Sequence, residues 1–293
     1  MKNFVVEKGK KWRVGNVTID LIFEVQLEFS KNEFKAVLPT ADFESSEIKW
    51  LTPDYITNDG NVLLNEQSFL IKSKGKNILI DTGTNTPGPF EDNLKAAGCN
   101  PEDIDYVLFT HLHYDHIARN TKMVENGKLV ATFPNARYLV GKEQYNHWKE
   151  IYENPDSGGK EPLSRDMIWP FLLHVKAIEE MGLLDIIDED FTLHDEIRLY
   201  STYGHSPGSF AIIIESNGDT AWIGGDIANH PIQMTQLDSS TSFDYDPIKA
   251  AVEREEVFSK LAGTDILYFG AHFAGEKGGF IKKVDKGYRI INA

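Results

Sequence analysis

Three imidazoles and one carboxylate crowd the segment His111-Leu112-His113-Tyr114-Asp115-His116. The whole chain has only 9 histidines in 293 residues, so this concentration calls for a specific role. Histidine nitrogens and aspartate oxygens are common ligands of zinc and similar divalent ions. The segment follows the apolar run Tyr106-Val107-Leu108-Phe109, which has the composition of a buried strand. A rigid strand that ends in a ligand-rich loop predicts a metal site.

Three further side chains of the metal-binding type follow predicted strands elsewhere in the chain. They occur in the segments Thr202-Tyr203-Gly204-His205, Gly224-Gly225-Asp226 and Gly270-Ala271-His272. Each lies close to glycine, which lets the backbone approach a crowded centre. We therefore expect one site with seven ligands, which are His111, His113, Asp115, His116, His205, Asp226 and His272.

A ligand set of this size predicts metal-assisted hydrolysis. Two neighbouring cations can share a water molecule and lower its pKa from about 15.7 to around 7. The resulting hydroxide would attack a carbonyl or phosphoryl centre while a metal polarises the substrate oxygen. Asp115 and Asp226 are the predicted catalytic residues, because either carboxylate can orient the hydroxide and pass its proton onward. No serine or cysteine nucleophile is needed.

The composition limits the kinds of partner that we expect for this chain. The formal net charge of −15 argues against a nucleic-acid partner, which requires a concentrated basic surface. Cys99 is the only cysteine, so it can form neither an internal disulfide nor a thiolate metal cluster. No apolar stretch approaches the roughly 20 residues of a spanning helix, and charged residues interrupt the N-terminal segment. We therefore expect a cytoplasmic protein with no membrane partner.

Strands and helices alternate along most of the chain. The sequence predicts a strand or a bent hairpin over 14–29, and strands over 68–71, 77–80, 106–109, 137–140, 191–202, 210–216, 219–224 and 265–269. It predicts helices over 90–97, 141–152, 164–181 and 247–262, and a mobile loop over 154–159. This order favours two sheets covered by helices in a single domain, 1–293, with an N-terminal extension over about 1–62 and a helical insertion over about 141–185.

The seven-ligand pattern resembles the metallo-β-lactamase fold superfamily from about Asn65 to His272. The resemblance implies an α/β fold, an αββα sandwich of two mixed sheets flanked by helices, with two divalent metal ions at one edge. Zinc is the expected metal, with iron, manganese or cobalt as alternatives. The implied ligands are His111, His113 and His205 for the first metal, Asp115, His116 and His272 for the second, and Asp226 for both. The resemblance also places Asp81 behind a ligand histidine, although an aspartate that only caps its turn is the alternative.

Several branches of the superfamily differ from this sequence in their ligand pattern, charge or C-terminal segment. Penicillin-hydrolysing members depart from the pattern at the positions of His116 or Asp226, and flavodiiron-type members carry glutamate at the position of His113. The net charge disfavours RNA-processing members, and no basic helical segment of the glyoxalase-II type follows His272. The remaining resemblance is to acyl-homoserine lactonases and similar organophosphate hydrolases. It implies a small ester or lactone as substrate and a homodimer.

One position departs from the lactonase pattern. Acyl-homoserine lactonases often carry tyrosine three residues after the bridging aspartate, where this chain has Asn229. The candidates for substrate contact are therefore Tyr114, Tyr203, Asn229 and His230. We predict a dinuclear metal-dependent hydrolase of small esters, specifically a lactonase with a metal-bridging hydroxide as nucleophile. A phosphotriester hydrolase with the same site and a metal-containing ligand-binding protein are the alternatives.

Overall fold

A computed structural model describes residues 6–7, 11–154, 166–275 and 278–292. Seventeen strands are found within these ranges. In chain order they are β1 Val6–Glu7, β2 Lys11–Val14, β3 Val17–Phe29, β4 Val62–Ser73, β5 Lys76–Ile80, β6 Tyr106–Leu108, β7 Thr121–Met123, β8 Leu129–Ala131, β9 Arg137–Gly141, β10 Leu184–Ile187, β11 Thr192–His194, β12 Ile197–Thr202, β13 Ser209–Ser216, β14 Asp219–Ile223, β15 Leu267–Phe269, β16 Gly279–Lys283 and β17 Tyr288–Asn292.

Eight α-helices are found in the same ranges. They are α1 Lys31–Phe34, α2 Phe90–Ala96, α3 Tyr114–Ile117, α4 Lys142–Glu153, α5 Ile168–Phe171, α6 Ala177–Glu180, α7 Ile232–Thr235 and α8 Pro247–Leu261. A π-helical turn, Leu172–Lys176, joins α5 to α6. Short 3-10 helices cover Ser46–Leu51, Pro101–Asp103 and Gly225–Ile227.

The strands form two large mixed sheets and one small hairpin. The first sheet has the order β1-β2-β3-β4-β5-β6-β9-β10, and the second has the order β11-β12-β13-β14-β15-β16-β17. Strands β5, β6, β9 and β10 run parallel to one another, as do β14 and β15. The loops that follow these parallel strands therefore emerge at one edge of each sheet, where side chains from distant parts of the sequence can meet.

Apolar side chains pack in three layers. Between the sheets, Trp12 contacts Phe269 edge to face with ring centroids 4.9 Å apart, within a buried cluster that draws on both sheets. Helices α2 and α4 to α6 cover the outer face of the first sheet. Helix α8 covers the second sheet, where Phe258 packs on Tyr268. The predicted αββα sandwich is confirmed, and the driving force is burial of both faces of each sheet.

The first three strands are integral to the first sheet. Strand β3 pairs with β4 along eleven residue pairs, from Thr18 with Lys72 to Phe29 with Val62. Trp12 in β2 and Ile19 in β3 are buried between the sheets. The segment predicted as an N-terminal extension therefore supplies strands and core to the sandwich.

Local predictions differ from the structure mainly where polar residues interrupt strands. Strand β4 begins at Val62 rather than at residue 68. The polar residues Asn65-Glu66-Gln67 interrupt the apolar pattern from which strands are predicted, yet all three pair with β3. The strands that the sequence does not predict are β1, β7, β8, β10, β16 and β17. The predicted loop over 154–159 lies, after Asn154, outside the described residues. Within the described ranges, no helix is both long and apolar enough to cross a bilayer.

Candidate metal centre

The seven expected ligands lie together at one edge of the sandwich. Strand β6 leads into the loop that carries His111 and His113, and α3 follows at once with Asp115 and His116. The loops after β12, β14 and β15 bring the remaining three, which are His205, Asp226 and His272. All are buried except Asp115, whose side chain is 33% exposed.

Two glycines allow the loops to approach each other. At Gly225, φ is +54°, and a Cβ atom there would lie 2.9 Å from Cβ of Thr110. At Gly204, φ is +108°, and a Cβ atom would lie 2.1 Å from the backbone nitrogen of Ala250. Any larger residue would combine steric overlap with an unfavourable backbone conformation, so these positions require glycine.

The first group of ligand atoms consists of three ring nitrogens. Nε2 of His111 lies 3.0 Å from Nδ1 of His113 and 3.2 Å from Nε2 of His205. Nδ1 of His113 lies 3.0 Å from Nε2 of His205. A tetrahedral zinc ion, bound at about 2.0–2.1 Å, separates its nitrogen ligands by roughly 3.3 Å. The spacing of these three nitrogens therefore suits one divalent metal ion.

The second group combines Asp115, His116 and His272, whose ligand atoms lie within 4.8 Å of one another. Oδ2 of Asp115 is 3.8 Å from Nε2 of His116 and 3.5 Å from Nε2 of His272. One carboxylate and two imidazoles form a donor set that suits zinc, iron or manganese.

Asp226 faces both groups. Its Oδ2 atom lies 3.3 Å from Nε2 of His205, and its Oδ1 atom lies 3.2 Å from Nε2 of His272. Oδ1 is also 3.5 Å from Nε2 of His116. One carboxylate thus directs an oxygen towards each group, which is the arrangement expected of a bridging ligand.

Several buried atoms at the centre have no hydrogen-bond partner among the described residues. They are Nε2 of His116, Oδ1 of Asp226 and Nε2 of His272. Buried polar atoms are nearly always paired, so three such atoms facing one another need a common partner. A divalent cation pairs with all three, and the residues present therefore fit bound metal.

The opposite nitrogen of three ligand imidazoles meets an acceptor. Nδ1 of His116 lies 2.8 Å from Oδ2 of Asp81, and Nδ1 of His205 lies 2.8 Å from Oδ1 of Asp244. Nδ1 of His272 donates to the carbonyl oxygen of Asn65 at 3.0 Å. Because each acceptor holds a proton on Nδ1, the Nε2 lone pair points into the cluster.

Asp81 also accepts hydrogen bonds from the backbone nitrogen and the hydroxyl of Thr110. Asp244, which contacts Nδ1 of His205, is a member of the site that the sequence did not reveal. It lies in the irregular segment before α8, without a flanking strand or motif, and accepts a hydrogen bond from Thr241 through its second oxygen. Only the folded chain brings it against His205.

The electrostatics of the cluster favour positive charge at its centre. Burial lowers the pKa of His272, but Asp226 and Glu66 outweigh this effect and raise that pKa to about 10. Burial also opposes ionisation of Asp226, yet the surrounding imidazoles, led by His272, hold its pKa well below the ordinary value. Carboxylates that raise the proton affinity of neighbouring imidazoles stabilise a metal cation in the same place.

A cavity of about 260 Å³ opens in front of the cluster. Five of the expected ligands line it, and we call this polar side of the cavity its floor; they are His113, Asp115, His205, Asp226 and His272. Its wall is mostly apolar, and the apolar side chains are Leu27, Phe29, Val37, Leu64 and Phe243. Strands β3 and β4 and the segment between them supply four of these five, so the predicted extension builds much of this wall.

The four residues predicted to contact substrate lie in different parts of the structure. Tyr114 and Asn229 line the cavity, and Asn229 donates from Nδ2 to Oδ2 of Asp226 at 2.6 Å. Tyr203 lies outside the cavity lining, where Nζ of Lys249 sits 4.1 Å from the centre of its ring.

His230 lies in the core rather than in the cavity lining. Its Nε2 atom lies 3.2 Å from the carbonyl oxygen of Tyr55, and its Nδ1 atom accepts a hydrogen bond from the backbone of Ile232 at 3.1 Å. Its ring packs edge to face on Phe34. Both ring nitrogens are therefore occupied by backbone groups, which assigns His230 a structural role.

The burial of His230 should make the folded protein less stable at acidic pH. Burial lowers the pKa of His230 from 6.5 to about 4, so the folded state binds fewer protons than the unfolded chain as pH falls through that window. Stability is therefore lost on acidification, by about 2 kcal/mol between pH 7 and pH 5 from this residue alone. Urea unfolding of metal-depleted protein at both pH values should show that His230→Gln loses about 2 kcal/mol less than the parent. Titration of the ligand histidines is common to both proteins, so an identical pH dependence would contradict the assignment.

Comparison with known proteins identifies the family. The profile of the metallo-beta-lactamase superfamily matches residues 62–270. A metal-dependent hydrolase of Thermodesulfovibrio yellowstonii is 30% identical over 196 residues, which are 65% of this chain and 62% of that protein. The chain thus spans somewhat less than two thirds of that relative's length.

Solved structures share the fold over nearly the whole chain. One is hydrolase AbOPH of the beta-lactamase superfamily, with a TM-score of 0.80, 22% identity and coverage of 97% of this chain and 96% of that one. Another is AidC, a dizinc quorum-quenching lactonase in complex with a product, with a TM-score of 0.78, 21% identity and the same coverage. The resemblance predicted from the seven-ligand pattern is confirmed: this chain belongs to the metallo-beta-lactamase superfamily.

Proposed function

We propose that the protein is a dinuclear metal-dependent hydrolase that opens small lactones. The observation that carries the proposal is the position of Asp226, which directs one oxygen towards each of two ligand groups at the floor of an apolar cavity. His111, His113 and His205 would hold one metal ion and Asp115, His116 and His272 the other, with Asp226 shared. Zinc is the favoured ion, since nitrogen and carboxylate ligands in this number suit it.

Bound metal ions supply Lewis acidity, which activates a water molecule and polarises the ester carbonyl. Side chains of the protein then transfer the protons and orient the reactants. Asp115 lies at the cavity surface, where its carboxylate can take a proton from the attacking water. The water oxygen bonds to the acyl carbon, the ring carbon–oxygen bond breaks, and the same proton passes to the departing alkoxide. Water is consumed and no other reactant is required.

The cavity supports a small ester with an apolar chain. Its wall side chains exclude water and offer apolar contacts, while its floor carries the polar ligand cluster. AidC, a structural relative, is a dizinc lactonase, and the hydrolase of Thermodesulfovibrio yellowstonii is named as metal-dependent. These relatives support both the reaction class and the lactone as substrate.

A substrate panel tests the proposal. Initial rates are measured on acyl-homoserine lactones, alkyl γ-lactones, linear aryl esters and a phosphotriester, with the same preparation before chelation, after chelation and after restoring Zn²⁺. We expect lactones to give the highest kcat/KM, activity to disappear on chelation, and activity to return with metal. Faster phosphotriester turnover would favour the organophosphate reaction, and binding without any turnover would favour a ligand-binding protein.

A further inference from the structure

A cavity of about 660 Å³ lies at the turn between β16 and β17, apart from the metal centre. Its lining includes none of the seven expected ligands. Four basic side chains line it against two acidic ones; the basic residues are Lys282, Lys283, Lys286 and Arg289, and the acidic residues are Glu47 and Asp285. The whole chain carries a formal net charge of −15, so this cavity concentrates positive charge on an acidic protein.

Two of the basic side chains are directly opposite each other in the sheet. Lys282 on β16 pairs with Arg289 on β17, and opposed residues of antiparallel strands project from the same face. Like charges in such positions destabilise the strand pair. The nearby carboxylate of Glu47 is engaged by Lys286, with 2.5 Å between Oε1 and Nζ. Within the described ranges, neither Lys282 nor Arg289 forms an ion pair, so their mutual repulsion is not offset by a direct partner.

Arg289 has a fixed position at one side of the cavity. The central carbon of its guanidinium group lies 5.7 Å from the centre of the Trp50 ring. Nε1 of Trp50 donates in turn to the hydroxyl of Thr235 at 3.1 Å, and Thr235 also lines the cavity. Nε of Arg289 is buried and meets no acceptor among the residues that the structure covers. Buried polar atoms are nearly always paired, so this N–H group needs an acceptor from a bound molecule.

These features favour a phosphate group as the bound species. The planar guanidinium group matches two phosphate oxygens at once, and a lysine ammonium group adds a point charge. A phosphate group carries between one and two negative charges at neutral pH, so it can offset the repulsion between Lys282 and Arg289 better than a monovalent carboxylate can. The volume of the cavity lies within the roughly 300–1,000 Å³ of small-molecule sites, which leaves room for the rest of a phosphorylated compound.

We propose that the turn between β16 and β17 binds a small soluble molecule that carries a phosphate group. Arg289 and Lys282 would hold the phosphate oxygens, and Lys283 would add attraction from the edge of the cavity. The inference is independent of the proposed function, because no residue of the metal centre takes part.

Calorimetric titration of the metal-loaded protein with glycerol 3-phosphate tests the proposal, with acetate as the monovalent comparison. We expect acetate to bind about 10-fold or more weakly than the phosphate ester. Arg289→Gln and Lys282→Gln should each weaken binding of the ester by about 10–100-fold, as for the loss of a hydrogen bond between charged groups. Glu47→Gln should strengthen it, because the substitution removes a negative charge and releases Lys286. Ester bound at the metal ions would not respond to these substitutions.

Lys282→Gln has a second expected effect, of opposite sign, on stability. Without phosphate its melting temperature should exceed that of the parent, because one of two opposed positive charges is gone. Glycerol 3-phosphate should raise the melting temperature of the parent, and this rise should largely disappear in the variant. Lys282 is exposed, so this variant remains informative if Arg289→Gln does not fold.

Lys149→Gln provides the matched control. It changes the net charge by the same amount in an exposed pair with Glu153 on α4, and it should bind the ester as the parent does. Equal affinity for the ester in the parent, Lys282→Gln and Arg289→Gln would overturn the proposal. A loss in Lys149→Gln as large as that in Lys282→Gln would do the same, because net charge alone would then explain binding. Binding to vesicles that contain phosphatidic acid, without binding of the soluble ester, would replace the small molecule with a lipid headgroup and overturn the proposal as stated.

Discussion

Replacing Asp226 with asparagine is expected to reduce lactone turnover by about 10³-fold or more. The substitution preserves shape but removes the negative charge that faces both ligand groups, and metal catalysis depends on several kcal/mol of charge stabilisation at such centres. The amide also has only one acceptor oxygen, so it cannot direct an oxygen towards His205 and another towards His272, as the carboxylate does. Steady-state kinetics together with metal analysis of Asp226→Asn measure the effect.

Stability should change far less than activity in this variant. The free energy of unfolding of metal-depleted protein should shift within the roughly 0.5–3 kcal/mol of ordinary substitutions. Asp195→Asn is the matched control, because Asp195 forms an exposed ion pair with Lys74 away from the cluster. Activity of Asp226→Asn equal to that of the control would remove Asp226 from the bridging position.

We expect Asp81→Asn to weaken metal binding strongly, although Asp81 is not itself a predicted metal ligand. Oδ2 of Asp81 accepts from Nδ1 of His116 and from the hydroxyl of Thr110, and Oδ1 accepts from the backbone nitrogen of Thr110. An asparagine that keeps the backbone contact turns its amide donor towards His116. The imidazole must then carry its proton on Nε2, the nitrogen that faces the cluster, and we expect about 10–100-fold weaker metal binding.

The backbone at residue 81 makes this substitution a clean one. Asp81 has φ +58°, a conformation that aspartate and asparagine tolerate better than other side chains. Competition with a chromophoric chelator gives metal affinity independently of turnover. Thr110→Ser, which retains the hydroxyl donor to Asp81, should bind metal as the parent does. Parent-like affinity in Asp81→Asn would reduce Asp81 to the turn-capping role.

The ligand cluster could be predicted from sequence because its members follow strands. His111 to His116 form a continuous motif, and His205 and His272 each follow a predicted strand. The carboxyl ends of strands that run in the same direction meet at one edge of a sheet, so these residues could be expected near the motif. The αββα sandwich was accessible for the same reason, since alternating strands and helices permit few architectures.

The residues around the cluster could not be predicted from the sequence, because no local sequence pattern marks them. Asp244 comes from an irregular segment, and its contact with His205 joins residues 39 positions apart. Glu66 interrupts the apolar pattern of β4, and only the folded chain places it in the lining of the cavity. His230 shows the converse case, because its proximity in sequence to Asp226 made it a candidate for substrate contact, with a core or exposed histidine as the alternative, and packing on Phe34 places it in the core.

The most direct test of the account is the metal content of the purified protein, measured by elemental analysis alongside lactone turnover as metal is returned to chelated protein. We predict two divalent ions per chain, with activity complete only when both are bound. Full lactone turnover with one ion per chain or none would contradict this prediction, because Asp226 would then have no second metal to share.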